Sequence, residues 1–145
     1  IFLIDGNLNI TPEMTLSNPT SDACLFIVSG TTKVLASSKT PAICGGTHTD
    51  TTIVANPKDT IEAFIITKNF TTDPSEVQLY IKGGVITNTQ IGGLNRDVNT
   101  GSCYFPNIPS EVFDYEGARY IKIFKDIIGE PEIVGIRESQ FAGQN

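Results

Sequence analysis

Phe26-Ile27-Val28-Ser29-Gly30 is one of four related phrases, the others being Phe2-Leu3-Ile4-Asp5-Gly6, Phe64-Ile65-Ile66-Thr67-Lys68 and Tyr80-Ile81-Lys82-Gly83-Gly84. Each puts an aromatic residue four places, and a Leu or Ile three places, before a Gly, with Lys68 standing in that place in the third. Copies stacked on one another would align like residues in ladders, which is the construction of a parallel β-solenoid. With the Gly as origin, the residues five and three places earlier are Ile1/Leu3, Leu25/Ile27, Ala63/Ile65 and Leu79/Ile81, and those two places later are Leu8, Thr32, Phe70 and Ile86. Alternate residues of a strand share a face, so this set is expected to line the interior. The opposite face carries Phe2, Phe26, Phe64 and Tyr80, with Ile4, Val28 and Ile66 beside them. Runs that are apolar on both faces belong to parallel sheets covered on both sides, so this outer face needs a cover. Lys82, in the place of a fourth aliphatic residue, marks where that cover ends or the sheet edge begins.

The phrases are separated by 24, 38 and 16 residues, so the repeat is degenerate and carries excursions. The longest runs over 36–59, with Pro41, Cys44-Gly45-Gly46 and Asn56-Pro57 as loop punctuation and Thr51-Thr52-Ile53-Val54-Ala55 as a short strand inside it. Beyond Gly101 the texture changes. Ala118, Ile121, Phe124 or Lys125, and Ile128 follow a helical period that Gly129 and Pro131 stop, and Glu132–Glu138 reads as a closing strand. The expected fold is therefore all-β: a short, irregular, right-handed parallel β-solenoid of about four coils over 1–100, with the loop insertion 36–59. A cap over 101–145, made of the helix and the closing strand, would pack on the same domain and shield the open sheet edge.

At 145 residues the chain suits one domain with one core. Charged residues are 18% of it, against about 25% in an average globular protein, and Thr, Asn, Ser and Gly fill the difference. Such a surface fits a secreted or exposed β protein. A net charge of -6 argues against nucleic acid as the partner, because phosphate-backbone binding requires a basic footprint. No stretch reaches the roughly 18 consecutive apolar residues of a membrane span. The chain opens on Ile1 already in a strand pattern, which reads as a piece of a longer or processed protein, with membrane contact only through a segment upstream.

Three cysteines, Cys24, Cys44 and Cys103, permit at most one internal disulfide. Cys24 with Cys44 would close the loop leaving the second coil; the alternative is Cys24 as a small buried apolar residue. His48 is the only histidine, in Gly45-Gly46-Thr47-His48-Thr49-Asp50, so no multi-histidine metal centre is expected and no cofactor is implied. His48 and Asp50 are a pair of the kind that does acid-base work, but a solvated loop histidine is the simpler reading. The polar cluster Thr47, His48, Thr49, Asp50 and Thr51 is the candidate binding region, because long loops on rigid scaffolds carry binding function. Asn95-Arg96-Asp97 reads as structural, Arg96 bridging a carboxylate and backbone carbonyls to lock the turn leaving the last coil; ligand recognition is the other reading. β-helical lyases and hydrolases need convergent carboxylates, and the sixteen acidic residues fall mostly in loops, with Asp5/Asp22 and Asp73/Glu76 as the pairs able to meet. Four coils give a body only about 15 to 20 Å long, short for an extended sugar groove. A non-enzymatic role is expected.

Ile4-Asp5-Gly6-Asn7-Leu8-Asn9-Ile10, Phe26–Gly30, Ile81-Lys82-Gly83-Gly84-Val85-Ile86, Leu94-Asn95-Arg96-Asp97 and Pro109-Ser110-Glu111-Val112-Phe113-Asp114-Tyr115 together resemble the extracellular β-solenoid domain of bacterial pilin-like surface proteins, of the type IV pilus or pseudopilus kind. The resemblance implies an extracellular or cell-surface subunit acting in adhesion or assembly. Its partners would be other subunits of a surface filament, or a surface glycan or protein receptor. Other classes compatible with stacked β architecture are a carbohydrate-binding or carbohydrate-cleaving module and a viral fibre domain.

Overall fold

The computed structural model describes residues 1–18, 22–39, 57–89, 92–98 and 109–118, together with 121, 123 and 125. Its strands are β1 (Phe2–Ile4), β2 (Leu8–Ile10), β3 (Leu25–Val34), β4 (Lys58–Thr72), β5 (Gln78–Thr87) and β6 (Glu111–Tyr115). They form one six-stranded sheet in the order β1-β3-β4-β5-β6, with β2 following β1 along the same side of β3, and every pairing is parallel. The strands are rich in β-branched and aromatic residues, which fit a pleated and half-buried surface. Ile61–Ile66 is buried on both faces for nearly its whole length, as a central parallel strand requires. Among the described residues no helix is delimited and none is long and apolar enough to cross a membrane. The backbone at Gly117, Ala118, Ile121, Ile123 and Lys125 is helical. The loop strand expected at 51–55 and the closing strand at 132–138 lie outside the described residues.

Register departs from the phrase alignment, and one residue explains the first departure. Phe2↔Phe26 and Leu3↔Ile27 pair as the repeat predicts, and so do Leu8↔Thr32 and Thr32↔Phe70 farther along. Between those two regions, however, Leu25 and not Phe26 faces Phe64. A bulge between Val28 and Thr31 gives β3 one residue more than β4, so the ladders on its two sides differ by one. A one-residue shift moves a side chain to the other face. Phe26 therefore packs with Ile65 on the core side, while Phe64 turns outward to Leu25.

The second departure is larger. Gly84 pairs with Phe64 in the interior of β5, so Ile81 faces Ile61 and Ile65 faces Val85. The expected interior ladder of Leu3, Ile27, Ile65 and Ile81 is accordingly broken. Ile65 and Ile81 are fully buried, Ile27 is half-buried on the other face, and Leu3 is 78% exposed at the sheet edge.

The main core comprises Ile10, Val34, Ile61, Ala63, Ile65, Phe70, Leu79 and Ile81. Within β4 its members change from odd numbers up to Ile65 to the even-numbered Phe70, so the strand bends around the core between them. A second cluster of Leu25, Phe64 and Ile123 lies on the outer face. Ile121, placed by sequence on the helical period, is 67% exposed, and Ile123, two places on, is the buried residue. Lys82 is explained by its row, in which Glu62, Lys82 and Asp114 are cross-strand neighbours of alternating charge.

Candidate functional site

At the bend the backbone leaves the regular ladder, so side chains must satisfy its freed groups. Three segments stack there: Asp5-Gly6-Asn7, Ser29-Gly30-Thr31 and Thr67-Lys68-Asn69. The Ser29 hydroxyl accepts from the Gly6 amide at 2.8 Å and donates to Asp5 Oδ1 at 2.9 Å. The amide of Gly30 donates to the Gly6 carbonyl at 2.9 Å, and that of Thr31 to Asn7 Oδ1 at 2.8 Å. Gly30 has to be glycine, because a Cβ would run into the Gly6 carbonyl and the Asn7 side chain. On the next strand Thr67 Oγ1 donates to the Gly30 carbonyl at 2.9 Å and accepts from Thr32 Oγ1 at 3.1 Å, while Asn69 Nδ2 donates to Thr31 Oγ1 at 3.3 Å. Thr89 extends the series, its hydroxyl 2.6 Å from the Lys68 carbonyl.

Beside this polar ladder is an open cleft of about 290 Å³. Val28, Ile66 and Ile86 supply its apolar surface, and Ser29, Thr67, Lys68, Thr87 and Asn88 its polar rim. Ile66↔Ile86 and Val28↔Thr67↔Thr87 are cross-strand partners, so parallel register alone places this lining. Lys68 is the one ionisable group among the described lining residues. Such a surface binds by apolar contact, hydrogen bonding and one positive charge; proton transfer between an acid and a base would need a second titratable group.

A buried node sits farther along the strands. Arg96 and Asp59 have side chains with no exposure, and Arg96 Nη1 donates to Asp59 Oδ2 at 2.6 Å. The guanidinium also donates to the carbonyls of Leu35 at 2.8 Å and Val77 at 3.3 Å, joining segments far apart in the chain. Glu111 of β6 accepts from the Arg96 amide at 2.9 Å, and Asn95 Nδ2 donates to the Thr72 carbonyl at 2.7 Å. The Asp97 amide donates to the Ser75 carbonyl at 3.0 Å, alongside a parallel bridge between Ser75 and Arg96. Asn95-Arg96-Asp97 thus ties together Leu35 just after β3, both ends of β4 at Asp59 and Thr72, Ser75 and Val77 before β5, and Glu111 at the start of β6.

The polar loop residues Thr47, His48, Thr49, Asp50 and Thr51 lie outside the described residues. Cys24 is a free thiol, half-buried against the core, and burial pushes its pKa up; Cys44, its expected partner, lies outside the described residues. Of the carboxylates singled out by sequence, Asp5 is held by Ser29 and Asp73 is ion-paired to Lys33 at 2.6 Å. The Lys33 ammonium holds Asp73 below its ordinary pKa. The hydroxyl of Tyr80 donates to Asp114 at 2.8 Å, which raises the tyrosine pKa. No group of three or more His, Cys, Asp and Glu side chains converges as a metal site among the described residues.

Asp59, Glu111 and the cleft rim were missed by sequence reasoning. Asp59 lies at the border of what reads as a loop, and no local pattern announces a partner 37 residues away. The bend itself was signalled, since Gly6, Gly30 and Lys68 are the phrase origins and do stack. Comparison of the chain with protein-family models, curated proteins and solved structures finds no match.

Proposed function

We propose that this chain is a non-enzymatic, surface-exposed β-solenoid domain of a pilus-like extracellular assembly, acting in adhesion or assembly by presenting a rigid surface. In this reading the stacked bends are corners of a short right-handed solenoid of about four coils, capped by a C-terminal helix and a closing strand. The observation that carries it is the bend ladder: Gly6 and Gly30, each the origin of a sequence phrase, are joined by a backbone hydrogen bond, and Thr67, the residue before the third origin Lys68, reaches the Gly30 carbonyl from the next parallel strand. Right-handed connection is what parallel neighbours overwhelmingly adopt. The surface setting and the filament partner rest on the acidic, Thr- and Asn-rich composition and on the sequence resemblance.

Contact with a partner is assigned to the loop centred on Thr47–Thr51. Its ends are close, since Lys39 Nζ donates to the Lys58 carbonyl at 2.7 Å, so a short linker can replace residues 40–56. The excised protein should unfold at the wild-type temperature, while cells carrying the full-length version lose attachment or filament assembly. Normal attachment and assembly by a folded excision variant would refute the loop's role.

One observation favours a second reading, a carbohydrate-binding module: the row of hydroxyls and amides at the cleft rim is of the kind that hydrogen-bonds sugars. Glycan-array binding that Asn88→Ala abolishes would select it over the first. Reducing-sugar release from polysaccharide would instead reveal a carbohydrate-cleaving enzyme.

A further inference from the structure

The cleft is floored by Ile66 and Ile86, which continue an apolar outer row begun at their cross-strand neighbour Ile27. Ile66 is half-buried against Leu25, Phe64 and Ile123, and Ile86 is 48% exposed. Beside this floor a polar row crosses the sheet. Ile4↔Val28↔Thr67↔Thr87 are successive cross-strand partners, so the residues that follow them, Asp5, Ser29, Lys68 and Asn88, are neighbours in the same order, and all four are exposed.

The polar side chains differ in what they have left to offer. The Ser29 hydroxyl is committed to the Gly6 amide and Asp5 Oδ1, that of Thr67 to the Gly30 carbonyl, and that of Thr87 to the Thr89 carbonyl. Lys68 Nζ and the side-chain amide of Asn88 have no hydrogen-bond or ion-pair partner among the described residues. Asp5 is held through Oδ1, which leaves Oδ2 available to accept.

These uncommitted groups define a ligand. One ammonium on a chain of net charge -6 selects a single negative charge and disfavours a polyanion. The Asn88 amide beside it can donate to the same carboxylate. Asp5 lies two strands from Lys68, about 10 Å away, and its carboxylate only accepts, so the ligand must also bring hydroxyl donors. Ile66 and Ile86 offer apolar surface to the C–H face of a ring. A pyranose with one carboxylate, joined to a second sugar, combines all of these features.

We propose that the cleft binds a terminal acidic sugar, its carboxylate on Lys68 and Asn88, its ring over Ile66 and Ile86, and hydroxyls of the adjoining sugar reaching Asp5 past Ser29. The proposal rests on the carbohydrate-binding reading above and names the ligand class of that site.

NMR titration of the full chain at constant ionic strength tests it, with methyl glucuronide, methyl glucoside and acetate as probes. Methyl glucuronide should shift the amide signals of Thr67, Lys68, Thr87 and Asn88 saturably, and should bind roughly tenfold or more tightly than either of the others, the margin expected of hydrogen bonds to a charged group. Lys68 is exposed, so its replacement should leave the strand signals in place. Lys68→Met should abolish the preference for the glucuronide over the glucoside, and Lys68→Arg should keep it. Equal binding of glucuronide and glucoside would overturn the acidic ligand while the carbohydrate reading stands. Acetate binding as tightly as glucuronide would reduce the cleft to a simple anion site and overturn the sugar. Signals that respond to neither sugar would overturn both readings.

Discussion

Arg96 and Asp59 show how much one buried pair can decide. Two charges without solvent exposure gain little net stability from each other, since desolvation offsets most of their attraction. Breaking the pair is another matter, because the survivor stays buried and uncompensated. Arg96→Met is therefore expected to destabilise the fold by about 3–5 kcal/mol in a denaturant titration. Arg96→Met with Asp59→Leu should recover roughly half of that loss or more, the remainder reflecting the Leu35 and Val77 carbonyls left without a donor. A double variant as weak as the single one would show that those carbonyl bonds, and not the ion pair, govern the site.

The Lys33–Asp73 pair is the solvent-exposed counterpart, with side chains 46% and 27% exposed. Asp73 titrates below its ordinary value of 3.8, chiefly because Lys33 donates to it. A depressed carboxyl pKa gives a stabilising contribution that is fully present above the unfolded value and disappears as pH falls through the folded one. Lys33→Met should move the Asp73 midpoint, followed by carboxyl NMR, up toward 3.8. Wild type and variant should then converge in stability only in acid below that value. An unmoved midpoint would mean that Lys33 is not what holds the carboxyl charged.

At the scale of the strands, the two adjacent glycines of β5 do different jobs, and this is where sequence reading went astray. Gly83 and Gly84 look like the bend glycines of the earlier phrases, yet they lie inside a paired strand. Gly83 has φ +139°, and a Cβ on it would collide with the Ala63 carbonyl of β4. Gly84 leaves the gap through which Phe64 and Tyr115 meet edge to face at 6.2 Å. Close approach and ring packing, and not a turn, select glycine here. Gly83→Ala should cost about 2 kcal/mol or more in thermal or chemical unfolding. Gly84→Ala, whose Cβ would sit in ordinary contact 3.4 Å from both rings, should cost under about 1 kcal/mol. Equal costs would contradict the close approach of β4 and β5.

The bulge in β3 was equally invisible from sequence. Ser29-Gly30 can stand for a turn or for one inserted residue, and only its pairing with β4 decides between them. What was legible was the pairing of β1 and β2 with β3, which have the same spacing, and Thr32↔Phe70 beyond the bulge. The cleft escaped notice because its lining comes from three strands brought together by that register.

For the molecule as a whole, parallel stacking is the claim on which the bend ladder, the cleft and the apolar outer row all depend. Each segment pairs with a segment distant in sequence, so a different register would dismantle all three at once. Scalar couplings across hydrogen bonds, measured by NMR on the full chain in solution, report donor and acceptor identity directly. The structure predicts couplings from the Gly30 amide to the Gly6 carbonyl, from Leu35 to Ile10, from Phe64 to Cys24 and from Asp73 to Val34. Couplings that join these strands in antiparallel order, or that follow the simple phrase alignment with Phe26 opposite Phe64, would contradict the account.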